Sequence, residues 1–239
     1  MTVHIHDRSL KAFSLLLSYP TVELQEAMPD IGGVLAAESR LTGQMRRDLR
    51  PLIERLGRDD IYELQETYVA LFDRSRTLSL NLFEHVHGES RDRGGAMVSL
   101  METYRAGGFE PTGWNLPDHL PLLLEFLATQ PASVARETLA DAAHILEALA
   151  IRLARRESPY STIFSALVRL AGNVADREAV AELLRAPEAD PDDLDALDAI
   201  WEETEVTFGP DPNAGCPAGR EMLARMNFPA TPAHGVAAD

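Results

Sequence analysis

Ser133-Val-Ala-Arg-Glu-Thr-Leu-Ala-Asp-Ala-Ala-His-Ile-Leu-Glu-Ala-Leu-Ala-Ile-Arg-Leu-Ala-Arg-Arg156 is the stretch that decides the fold class. Leu139, Ala142, Ile145, Leu146, Leu149 and Leu153 return every three or four residues, the period that gathers side chains on one face of a helix. Ser133 is the expected cap of one long helix reaching about Arg156. The same period continues downstream in Ile163, Leu167 and Leu170, after a Ser158-Pro159 capping pair and before a stop at Gly172. A shorter helix with Val180, Leu183 and Leu184 follows the cap Asp176.

Upstream the pattern holds. Leu10, Phe13, Leu16 and Leu17 form a first helix, capped by Asp7 or Ser9 and ended by Pro20. Short helices are expected near Val22–Ala27 and from Pro29. Thr42 caps a helix with Met45, Leu49, Leu52, Ile53 and Leu56; Pro51 predicts a kink or break inside it, and Gly57 a stop. Asp59 caps a face of Ile61, Leu64, Tyr68, Leu71 and Phe72. Leu78–Val86 reads as a short helix, and a longer one runs from about Ser90 to Gly107-Gly108. Pro117 suits the first position of a helix to about Ala128. No period-two segment, Asn-Gly hairpin or internal repeat occurs. The expectation is an all-α bundle of about nine or ten helices in a single domain over 1–208, followed by a Pro/Gly-rich tail over 209–239.

Composition narrows the function. The chain has 239 residues, 45% of them hydrophobic, with 22 basic and 38 acidic side chains and a net charge of -16. A nucleic-acid binder needs a basic face, so that class is disfavoured, whereas a basic partner would be attracted. One cysteine, Cys216, excludes an internal disulfide and a cysteine-rich cluster. No signal peptide or membrane-length apolar run occurs, so the expected location is the cytoplasm. From Glu188 to Glu205 there are nine acids and no base, with Leu194, Leu197, Ile200 and Trp201 still at helical spacing.

Unusual chemistry concentrates in three places. Asn81–Arg93 holds two of the seven histidines, three acids and two arginines in thirteen residues. His85 and His87 would chelate one metal from a strand, but on a helix they point about 200° apart, and the helical reading makes one buried and the other solvated. Glu89 and Asp92 between Arg91 and Arg93 read as a salt-bridge cluster more readily than as an acid/base pair. Asp118 and His119 fall in a helix's first turn, where they either cap it or form the rim of a groove. No phosphate-cradling glycine motif and no Gly-x-Ser-x-Gly nucleophile occurs.

Taken together, Tyr68-Val-Ala-Leu-Phe-Asp73, Leu82-Phe-Glu-His-Val-His-Gly-Glu-Ser-Arg-Asp-Arg-Gly94 and Leu116-Pro-Asp-His-Leu-Pro-Leu-Leu-Leu-Glu-Phe-Leu127 resemble the NarJ-type nitrate reductase assembly chaperones. The resemblance spans about residues 8–206, and its Pro-Asp-His element is shared with the wider TorD/DmsD-like superfamily. It implies an all-helical chaperone without a cofactor of its own and without enzymatic activity. It further implies a monomer that binds the N-terminal peptide of the nitrate reductase catalytic (α) subunit until molybdenum cofactor and an iron–sulfur cluster are inserted. Family analogy points to Asp118 and His119 as peptide-binding residues. The residue pattern adds Tyr68, Leu71, Phe72, Leu123 and Phe126 as an apolar floor, and Glu84, His85, His87, Glu89 and Glu125 as polar contacts. The rival readings are a metal-dependent hydrolase using His85, His87 and His119, and a scaffold that stays in the finished complex.

Overall fold

A computed structural model describes residues 6–87, 92–172 and 175–186. The acidic segment 188–205, the tail, Glu89 and the side chain of His87 lie outside the described residues. Twelve α-helices are found among the described residues: α1 Arg8–Leu16, α2 Val22–Glu26, α3 Met28–Ala36, α4 Gly43–Leu56, α5 Ile61–Tyr68, α6 Leu82–His87, α7 Asp92–Ala106, α8 Leu120–Leu127, α9 Ala132–Asp141, α10 Ala143–Arg155, α11 Ser161–Ala171 and α12 Arg177–Arg185. The all-α expectation is met. The only strand-like pairing among them is a single antiparallel bridge, Asn81 to His119.

The caps explain where several helices begin. Asp7 accepts from the backbone N–H groups of Ser9 and Leu10, and Thr42 from that of Met45. Asp176 accepts from Glu178 and Ala179. Four boundaries differ from the sequence reading. The cap of α5 is Asp60, whose carboxylate accepts from Tyr62 and Glu63; Asp59 instead pairs with Arg55 at 3.0 Å. Ser133 and Ser158 cap neither helix: α9 starts after Pro131, and the buried Ser158 hydroxyl has no partner among the described residues. The expected long helix is split at Ala142, whose carbonyl takes bonds from both Ile145 and Leu146, so one tight turn separates α9 from α10. Pro51 leaves α4 as one helix: it lies on the exposed face, so the Arg47 carbonyl that loses its bond faces solvent rather than core.

Gly57 ends α4 at an ordinary φ of -85°, not in the left-handed cap conformation. Its role is close approach, since a Cβ there would stand 3.2 Å from Cβ of Met28 on α3. Residues 69–73 continue α5 as a π-type turn, and Arg76–Leu78 form a 3-10 turn.

One apolar core runs through the bundle. The α10–α11 hairpin is its centre, with Ile145, Leu146, Leu149, Ile163, Phe164 and Leu167 all fully buried. α9 packs on α11, α12 on α10, and α4 on α11. The core is continuous across the Gln130-Pro131 connection between α8 and α9: α1 lies along α8 on one side of it, and α9 returns to the same core on the other. No helix among the described residues is long and apolar enough to cross a membrane.

Candidate functional site

The two polar motifs meet at the bridge. The backbone N–H of Leu82 donates to the Asp118 carbonyl at 3.1 Å, and that of Leu120 to the Leu80 carbonyl at 2.8 Å. This pairing holds His119 extended, so α8 begins at Leu120, later than the expected Pro117, with Pro121 in its first turn. Asp118 does not cap its own helix. Its Oδ2 accepts from the backbone N–H of Phe83 at 3.0 Å, so it supports the first turn of α6, 35 residues upstream. Such N-terminal N–H groups lack partners within their own helix.

Asp118 is fully buried, and its Oδ1 has no hydrogen-bond partner among the described residues. Burial raises its pKa, against the lowering effect of the Phe83 N–H. His119 is half-buried, its buried Nδ1 has no partner among the described residues, and burial pushes its pKa down to about 4. Tyr104 fixes the approach to both from below: its hydroxyl donates to the Pro117 carbonyl at 2.6 Å, and its ring packs on Phe109 and Phe126. Gly107 lets that cluster close, because a Cβ there would lie 2.6 Å from the Phe126 ring. The loop between α7 and α8 then carries Trp114 fully into solvent and leaves Leu116 about half exposed.

On α6, Glu84 accepts from Arg93 of α7 at 3.0 Å and from the side chain of Asn81. Burial raises its pKa, but hydrogen bonds from Ser79, Asn81 and Arg93 outweigh that and leave it lowered. His85 turns the other way. Its Nε2 lies 2.8 Å from the Ser79 carbonyl, so that nitrogen carries the proton and donates, and burial lowers its pKa. His85 and Glu84 also line a cavity of about 350 Å³ between α6, α10 and α12, shared with His144 and Arg152. No three His, Cys, Asp or Glu side chains among the described residues are grouped to hold a metal.

The remaining expected residues are dispersed. Tyr68 and Phe72 are buried; the Tyr68 hydroxyl donates to the Leu17 carbonyl, and both rings belong to an edge-on chain ending at Tyr160. Leu123 and Phe126 are core residues beneath α1 and the Tyr104 cluster. These four do not form the floor of an open groove, because each is packed into the core. Leu71 is half-buried and lines a separate cavity of about 210 Å³ with Leu52, Leu64 and Tyr160. Glu125 is committed to Lys11 at 2.5 Å. The junction thus unites Glu84, His85, Asp118 and His119 and leaves the others elsewhere. The sequence reading did not single out Tyr104, His144 or Arg152 as site residues.

The family profile for the nitrate reductase delta subunit matches residues 38–166. The nitrate reductase molybdenum cofactor assembly chaperone NarJ of Escherichia coli K12 is 45% identical over 202 residues, covering 84% of this chain and 85% of that protein. The probable chaperone NarW of the same strain is 39% identical over 209 residues, covering 87% and 86%. The probable NarJ of Bacillus subtilis 168 is 32% identical over 178 residues, covering 74% and 96%.

Proposed function

The chain belongs to the nitrate reductase delta subunit family, as a NarJ-type assembly chaperone, and from that premise we propose that it binds the N-terminal segment of the nitrate reductase catalytic subunit. It holds the subunit open, as a monomer in the cytoplasm, while molybdenum cofactor and a neighbouring iron–sulfur cluster enter. The relatives are named as assembly chaperones rather than catalysts, and the present chain works in the same non-enzymatic way.

One observation carries the reading of the site. The two most distinctive runs of the sequence, around Phe83–Arg93 and Pro117–His119, are joined by the Asn81–His119 bridge and the Asp118–Phe83 hydrogen bond. Asp118 is too deeply buried to meet a client side chain. It positions α6, and on this reading the half-buried Glu84 and His119 meet the client, with the exposed Trp114 and Leu116 of the preceding loop as its apolar contacts. A partly apolar basic segment that folds on binding suits such a surface.

Capture of the tagged full-length chain from nitrate-respiring cells tests the function. The expected co-purifying protein is the catalytic subunit lacking molybdenum. Recovery of cofactor-loaded, mature enzyme instead would identify a permanent scaffold, and stoichiometric metal in chelator-free protein would favour the hydrolase.

A further inference from the structure

Two carboxylates meet one guanidinium at the first turns of α6 and α7. Glu84 of α6 accepts from Arg93 of α7 at 3.0 Å, where the two helices pack together. Asp118 reaches the same turn of α6 through Oδ2, on the Phe83 N–H one residue before Glu84. Burial raises the pKa of Asp118; the Phe83 N–H and the charge of Arg93 lower it, and the charge of Glu84 raises it. The three charged groups therefore already act on one another, and only Glu84 has the ion pair.

The two carboxylates are unequally provided for. The Glu84 side chain is 28% exposed, and it holds hydrogen bonds from Ser79 and Asn81 besides the one from Arg93. Asp118 is fully buried, and its Oδ1 has no partner among the described residues. A buried oxygen without a donor costs more than one that water can reach. Arg93 thus sits on the carboxylate that needs it less. A guanidinium carries several N–H donors at the end of a long, rotatable stem, so a neighbouring carboxylate on the same turn is within its compass.

We propose that Arg93 is a placeholder on Glu84: a cationic side chain of the client takes Glu84, and Arg93 turns to the unpartnered Oδ1 of Asp118. The client cation meets a carboxylate that Ser79 and Asn81 keep in place after Arg93 has left. Asp118 gains the donor that its buried oxygen lacks, so client binding relieves a cost that the client-free fold carries. The two events then favour each other in both directions. The client's part rests on the function proposed above; the exchange within the chain does not.

Glu84→Gln removes the negative charge, as a bound cation would neutralise it, and tests the exchange with no client present. A crystal structure of this full-length variant should show a guanidinium nitrogen of Arg93 about 3 Å from Oδ1 of Asp118. Arg93 still on residue 84, or turned to solvent, overturns the exchange. The client's part is read by calorimetry with a synthetic N-terminal peptide of the catalytic subunit. Asp118→Asn keeps an acceptor for the Phe83 N–H, since Asn caps about as well as Asp, but removes the charge that receives Arg93. It should weaken peptide binding about tenfold in the parent chain and less than about twofold in the Arg93→Met background. Equal losses in the two backgrounds overturn the coupling of Arg93 and Asp118 to the client. No peptide binding by the parent chain, with Arg93 on Asp118 in Glu84→Gln, counts against the client reading and leaves the exchange standing.

Discussion

The α10–α11 hairpin and the α6–α8 junction each bury side chains completely, but of opposite kinds. In the hairpin, Leu149, Ile163, Phe164 and Leu167 are fully buried apolar side chains. Each contributes roughly 1.5–3 kcal/mol by leaving water. At the junction Asp118 is also fully buried, yet among the described residues one of its carboxylate oxygens has no partner, and neither does Nδ1 of the neighbouring His119. Buried polar atoms without partners cost stability. The hairpin explains itself by folding. The junction does not, and a region that lowers stability is where a function is to be sought.

The comparison can be broken most forcefully at the hairpin. Phe164→Ala should destabilise the fold by about 3–5 kcal/mol, read from denaturant midpoints. A loss below about 1 kcal/mol would mean that the hairpin is not the centre of the core. The next effect is pH dependence at the junction. Burial holds the folded pKa of His119 down at about 4, below the ordinary 6.5. The unfolded chain takes up this proton first, so the contribution of a neutral His119 is complete above 6.5 and is lost as pH falls toward 4. Solvent at the half-buried ring trims the effect to about 2 kcal/mol. His119→Gln should flatten the difference in stability between pH 6.5 and 4; an unchanged slope would place the titration elsewhere.

Smaller still is Asp118→Ala, which removes the acceptor for the Phe83 N–H and should cost about 1–2 kcal/mol, typical of a lost helix cap. Glu125→Gln should change the melting temperature little, because the partly exposed pair with Lys11 is worth under about 1 kcal/mol. A larger loss would make that pair the anchor of α1 on α8, ahead of the Ser14 hydroxyl bond to the Pro121 carbonyl.

The two regions also differ in how far the sequence disclosed them. Leu139 to Leu153 announced a helix by period alone, because burial of a helix face imposes that period. It could not announce the turn at Ala142, where alanine is as good a helix former as its neighbours and only packing decides. Asp118 was legible as a cap but not as the cap of another helix, since the Phe83 contact bridges 35 residues and leaves no local spacing. For the same reason Phe72, Leu123 and Phe126 looked fit for a groove floor. An apolar side chain facing solvent-bound partner and one facing core have the same spelling. Arg152 lay inside the decisive stretch and still gave no signal, because the carbonyls that hold it, on Thr77 and on Leu183 of α12, are remote in sequence.

The central claim is that the junction serves recognition while the hairpin serves stability. Asp118→Ala and Ile163→Val test it as a matched pair, since replacing Ile with Val in a core costs about 0.5–1.5 kcal/mol and so gives a similar loss of stability. The measurement is calorimetric affinity of each full-length variant for the N-terminal peptide of the catalytic subunit, at a temperature where both are folded by circular dichroism. Asp118→Ala should bind at least about tenfold more weakly, a change of about 1.4 kcal/mol, with Ile163→Val unchanged from the parent. Equal affinities in the two variants would contradict the account.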